Sequence, residues 1–255
     1  MKKRKVRTFA YILALAIFLV PVSIHAEDGF STEDDGEMIL PDTDLVDIPT
    51  AGIIDYYGLQ VKTRFYSEGG VLLNLTFGIS RLNLGVSASA DNFIGIEERV
   101  TTSRPEIQAK YRFYDGGAII PAFALGYDSQ GTYYNRDTRR YRQKARGLYL
   151  VGSQQLFIPQ IQFHPGVNIS EFEGDKIFGF GGLNIIINNI VSLMCEWDHI
   201  QRVDESRFNA GIRLYATPFF HVDFAVREIG VDTVFDDRTS HKPERIIQLR
   251  YHTTF

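Results

Sequence analysis

Residues 244–255 read Glu244-Arg245-Ile246-Ile247-Gln248-Leu249-Arg250-Tyr251-His252-Thr253-Thr254-Phe255, and their alternation decides the fold. Ile247, Leu249, Tyr251, Thr253 and Phe255 fall on one face of an extended chain, and Gln248, Arg250, His252 and Thr254 on the other. Side chains of a strand alternate between two sides, so this strand is apolar on one side and polar on the other. A last strand of that kind with a terminal aromatic has the form of the closing strand of a bacterial outer-membrane β-barrel. Ile247, Leu249, Tyr251 and Phe255 then form the sorting signal that the barrel-insertion machinery reads.

The other end of the chain agrees. Lys2, Lys3, Arg4, Lys5 and Arg7 precede an apolar run from Phe9 to Val20, and Ala26 offers a cleavage point. The run is too short to span a bilayer as a helix, so residues 1–26 read as a secretory signal peptide. No second apolar segment of helix length follows, which excludes a helical inner-membrane protein. Cys195 is the only cysteine, so neither a disulfide framework nor a cysteine metal cluster is available. A mean hydropathy of −0.11 would suit a soluble protein. It also suits a transmembrane barrel, whose strands show one face to lipid and one to a polar lumen.

From Tyr57 onward the chain divides into runs of about ten residues with a period of two, as membrane barrel strands require. Leu59, Val61 and Phe65 oppose Gln60, Lys62 and Arg64; Ile107, Ala109, Tyr111 and Phe113 oppose Glu106, Gln108, Lys110 and Arg112. Further runs follow the same rule from Ile161 to Ser170 and from Phe208 to Tyr215. Weaker ones begin near Gly70, Leu82, Ala118, Arg146, Lys176, Ile190 and Phe219. The expectation is an all-β, antiparallel, up-and-down transmembrane barrel of about 12 strands over residues 51–255. Every second connection is tight: Ser80-Arg81, Asp115-Gly116-Gly117, Ile158-Pro159, Asn188-Asn189 and Thr217-Pro218. The others are mostly longer, as outer loops are. An even strand number then places both termini in the periplasm of a Gram-negative cell. Aromatic residues near strand ends, among them Tyr56, Tyr57, Tyr66, Phe157, Trp197 and Phe219, suit interface girdles.

Outward apolar faces leave a charged lumen. The parity assigns Lys62, Arg64, Lys110, Arg112, Arg213, Arg227 and Arg250 to it, with Glu106, Asp128, Glu196, Asp198 and Asp223. Such groups either fill the interior with ion pairs or line a narrow, mildly basic passage for anions. Residues 27–50 form a separate acidic stretch, with nine carboxylates from Glu27 to Asp47 and no Lys or Arg. It reads as an acidic periplasmic segment, a solvated leader. Its charge also permits a second reading, in which it enters the barrel mouth and pairs with Arg112, Arg213 and Arg250.

The loop from Ser129 to Arg146 carries Arg136, Arg139, Arg140, Arg142, Lys144 and Arg146 among tyrosines. On an outer surface, lipopolysaccharide phosphates or an acidic polysaccharide fit it better than nucleic acid, and a loop without a partner fits equally well. No cofactor motif appears: Gly179-Phe180-Gly181-Gly182 lies within a strand, where glycine relieves crowding, and is no phosphate cradle. No enzyme is expected, although an outer-membrane enzyme acting on lipid or glycan is the alternative. The Asn, His and Ser constellation of a twelve-stranded phospholipase is not recognisable. His164, His221 and His252 share lumen parity and read as separate lumen-lining histidines.

The first half also carries a resemblance. Pro49-Thr50-Ala51-Gly52, Leu82-Asn83-Leu84-Gly85-Val86-Ser87, Asp91-Asn92-Phe93-Ile94-Gly95, the segment from Arg104 to Arg112 and the segment from Pro121 to Asp128 resemble the YjbH-like outer-membrane family over residues 48–130. That resemblance implies an outer-membrane barrel with a tie to exopolysaccharide production. Together these features lead to a passive role: a narrow, porin-like pore, or an envelope protein associated with exopolysaccharide.

Overall fold

A computed structural model describes residues 42–253, apart from 55, 96–98, 118, 136, 171–176, 202–205, 232 and 235–239. Among the described residues, twelve long strands form one antiparallel sheet closed on itself, with the two-residue strand Thr101–Thr102 paired beside the third. They are β1 (Leu59–Tyr66), β2 (Gly70–Ile79), β3 (Leu82–Asp91), β4 (Glu106–Tyr114), β5 (Ala122–Asp128) and β6 (Gly147–Leu156). The second half comprises β7 (Ile158–Ile169), β8 (Phe178–Ile187), β9 (Val191–Ile200), β10 (Arg207–Tyr215), β11 (Phe220–Ile229) and β12 (Glu244–Thr253). Each strand pairs with its neighbours in sequence, and β1 pairs with β12 from Leu59↔Thr253 to Phe65↔Ile247, which removes every sheet edge.

The burial pattern is inverted relative to a soluble protein. On β12 the interior holds Glu244, Gln248 and Arg250, while Ile247 is 44% exposed on the outside. On β4, Glu106 and Lys110 are buried, while Ile107, Tyr111 and Phe113 lie exposed. The same holds on β10, where Arg213 is wholly buried between the exposed Ile212 and Leu214. An apolar exterior around a polar interior is stable only where the exterior meets hydrocarbon. The protein is an integral membrane β-barrel.

Short turns gather at one end. Asn188 and Asn189 both take positive φ (50° and 55°), the backbone of a tight hairpin turn. Between β6 and β7 the reversal falls on Phe157 alone (φ 55°), fully exposed, so Ile158-Pro159 opens β7 and is not the turn itself. Tyr66 is likewise no girdle residue. Its ring packs against the interior cluster, and its hydroxyl donates to Asp91.

The opposite end carries the longer connections. The basic connection between β5 and β6 is not an open loop but a small hairpin, Thr132–Asn135 paired with Arg140–Gln143. It is closed by an edge-on contact between Tyr134 and Tyr141.

Candidate functional site

The lumen is occupied by the chain itself. Residues 42–54 do not form a solvated leader; they fold into a tight turn inside the barrel. Asp44 bridges to Pro49, the Leu45 amide donates to the Ile48 carbonyl (3.0 Å), and the Thr50 amide donates to the Thr43 carbonyl (3.2 Å). Leu45, Val46, Ile48, Thr50 and Ala51 are all buried. The physical reason is that the wall offers this segment both charge partners and an apolar seat.

Each carboxylate of the turn meets at least two donors from the wall. Asp42 accepts from Arg213 and from the Tyr215 hydroxyl (2.7 Å). Asp44 pairs with Lys62 and Arg250. Asp47 pairs with Arg64 (2.7 Å) and Arg227. The backbone is held as well: Arg213 donates to the carbonyls of Asp44 and Leu45 (both 3.1 Å), Arg250 to that of Leu45 (2.8 Å), and Lys110 to that of Thr43 (2.7 Å).

From the other side Glu196 on β9 clamps the turn. Its carboxylate accepts the amides of Val46, Asp47 (2.9 Å) and Ile48 (3.1 Å), and Asn209 donates to its second oxygen (2.9 Å). Three consecutive amides facing one buried anion form a nest, which a carboxylate fits well. Leu45 and Ile48 sit over Gly182 of β8. A β-carbon at Gly182 would overlap Ile48 Cδ1 and lie 2.7 Å from Leu45 Cδ1. That glycine therefore makes room for the turn. Around it lie Met194, Phe180, Val151, Ala225 and Ile246, an apolar patch on an otherwise polar inner wall.

The remaining sequence-derived lumen residues also face inward, with other partners. Asp223 bridges Arg213 and Arg250. Arg227 also pairs with Glu244 (2.8 Å), a buried acid that strand parity did not single out, and Glu106 is buried beneath Arg104. Arg112 pairs with Asp115 at the short-turn end (2.9 Å). Asp128 accepts from Gln108 and from the Gln130 amide. Asp198 pairs with Arg146 (2.9 Å) and Arg207.

Arg146 is thus a correction: it lies inside the barrel, over the Phe180 ring and donating to the Asp47 carbonyl, and does not belong to an outer loop. Arg139 and Arg140 are exposed on the hairpin, Arg142 is half-buried, and Lys144 borders the lumen cavity. Arg136 and Phe255 lie outside the described residues. Ile247, Leu249 and Tyr251 occupy one outward-facing row of β12.

Two constellations escape a sequence reading because each joins side chains from different strands. His221 and His252 stand edge to face, ring centres 5.2 Å apart, beside Asp42, while His164 is elsewhere. His164 sits in a buried chain: Ser153 Oγ lies 2.8 Å from its Nδ1, and Asn184 Oδ1 lies 2.8 Å from its Nε2. Those residue types can make a nucleophile, a base and an orienting group. Here the chain is fully enclosed, and Ser153 Oγ also accepts the Ala51 amide (2.8 Å). It ties the turn's exit to the wall.

A cavity of 220 Å³ lies between the turn and the wall, lined largely by β1 to β5. Its wall side is small and neutral, with Asn74, Thr76, Asn83, Ser87 and Ser89. Its charged rim comprises Lys62, Arg64, Lys110, Lys144, Arg146, Arg207 and Arg227 against Asp44, Asp47, Asp128 and Asp198, a net excess of three positive charges.

No protein-family model matches the chain, and no curated protein matches it. Among solved structures it is similar to the KdgM porin in complex with disordered oligogalacturonate, at 10% identity and a TM-score of 0.47, covering 76% of this chain and 98% of that one. It is also similar to the NanC porin, at 10% identity and a TM-score of 0.45, covering 77% of this chain and 99% of that one. Against a mutant Rh. blastica porin the identity is 12% and the TM-score 0.35, and the chain spans 55% of that porin's length. These likenesses concern the fold alone.

Proposed function

We propose that the protein is a narrow, passive outer-membrane pore whose lumen is constricted by its own residues 42–50, leaving a lane that favours anions. The observation that carries this reading is the 220 Å³ cavity between the docked turn and the small polar wall of β2 to β4. A barrel meant only to be solid would close that space with larger side chains, as it does around Phe180 and Met194. In planar bilayers the full-length chain should give small conductance steps. In a salt gradient the reversal potential should lie on the anion side, because the lane carries three excess positive charges. Absence of steps from folded, inserted protein would leave an envelope role.

That envelope role is the second reading, and the YjbH-like resemblance of residues 48–130 favours it, through an association with exopolysaccharide. In both readings the termini are periplasmic. The hairpin arginines Arg139 and Arg140 then meet lipopolysaccharide or acidic polysaccharide outside, and the insertion machinery reads β12. The enzymatic alternative rests on Ser153, His164 and Asn184, which lack a route to substrate while Ala51 covers them. On the structural reading, Ser153→Ala lowers stability by about 1 kcal/mol, a typical buried hydrogen bond, and removes no activity on lipid or glycan.

A further inference from the structure

Five cations line one continuous arc of the inner wall: Arg213 on β10, Arg227 on β11, Arg250 on β12, and Lys62 and Arg64 on β1. Those four strands are neighbours in the closed ring. Lys62 and Arg250 are direct cross-strand partners, and like charges so placed repel. Among the described residues the wall puts two acids in direct contact with the five cations, Asp223 and Glu244, and Glu228 acts on Arg227 at longer range. Three more negative charges come from Asp42, Asp44 and Asp47 of the docked turn, and Asp44 sits against both Lys62 and Arg250.

We propose that this arc is a binding cradle for a linear, multiply charged anion, and that the chain's three aspartates occupy it as a stand-in ligand. The arginine fork is shaped for carboxylate and phosphate oxygens alike, so a solute carrying three or more of either competes for the same donors. The turn need not leave for this to happen, because Glu196 and the Gly182 seat hold its opposite side. The inference rests on the lumen being a solute pathway, and its test uses binding, not conductance.

The full-length chain, folded in detergent micelles, is titrated calorimetrically with citrate and with tripolyphosphate, alongside the variant Asp42→Asn/Asp44→Asn/Asp47→Asn. Asparagine keeps the turn's shape but withdraws its charge. The variant should bind one or both probes at least roughly tenfold tighter than wild type, since three charge-assisted contacts become available. Adding Arg250→Gln and Arg213→Gln should return the affinity to the wild-type level. The better-bound probe identifies carboxylate or phosphate as the preferred chemistry.

Equal affinity in wild type and variant would overturn the cradle, as would tightening that survives loss of both arginines. If the triple variant lacks the heat-modifiable folded form, Asp44→Asn alone carries the same comparison. Binding without conductance would remove the pore and keep the cradle; conductance without a difference in binding would do the reverse.

Discussion

Glu196 converts a stretch of acidic chain into a fitted part of the barrel. Replacing it with alanine would leave three amides without their acceptor in a buried site, each worth about 1–3 kcal/mol. Glu196→Ala should therefore loosen residues 42–50, seen as faster proteolysis within the segment and a larger conductance. Unchanged protection would mean that the wall cations suffice alone.

The turn's aspartates add a pH dependence. Burial would raise the pKa of Asp42, but Arg213, His221, Arg250 and the Tyr215 hydroxyl outweigh it and hold the carboxyl at about 2. Asp44 and Asp47 are likewise pulled below the ordinary carboxylate value despite burial, by Arg250 and Lys62 and by Arg227 and Arg64. A group depressed on docking contributes stability that is complete above its free value, 3.8, and is lost as pH falls through the docked one. Conductance should rise as pH falls below that free value. A flat profile to pH 2.5 would mean that the seat does not depend on these charges.

At the scale of elements, strand parity was legible: a period of two sorts Lys62, Arg213 and Arg250 inward without any knowledge of the third dimension. Their partners were not legible, because Arg213 and Asp42 are 171 residues apart and only ring closure brings them together. Arg146 misled for a related reason. It closes a basic run in sequence, but the hairpin ends at Gln143, and Arg146 re-enters the wall beside Gly147.

Gly182 illustrates a third limit: a glycine in a strand signals missing volume without saying what fills it. Gly182→Leu should press on Leu45 and Ile48 and unseat the turn, raising conductance while the barrel still migrates as a folded species. On the hairpin, Arg139→Gln with Arg140→Gln should weaken lipopolysaccharide binding most at low salt, since exposed charges are screened over about 8 Å at physiological strength. Stability should change by less than about 0.5 kcal/mol, as is usual for surface sites.

For the whole molecule, closure of twelve strands leaves an interior between one filled by side chains and an open channel. This chain folds residues 42–54 into that interior and leaves a cavity of 220 Å³ beside them. Charge composition showed that an acidic stretch precedes a mildly basic lumen. It did not show that residues from Asp42 onward dock in the lumen, because that depends on Leu45 and Ile48 matching an apolar seat assembled from several strands.

The measurement that tests this arrangement most directly is single-channel conductance of the full-length chain against a version in which residues 42–50 are replaced by a glycine-serine stretch of equal length. With the turn gone, conductance should rise severalfold and anion preference should strengthen, since Asp44 and Asp47 no longer offset the lane's cations. Equal conductance and equal selectivity in the two proteins, both inserted and heat-modifiable, would contradict a lumen constricted by its own chain.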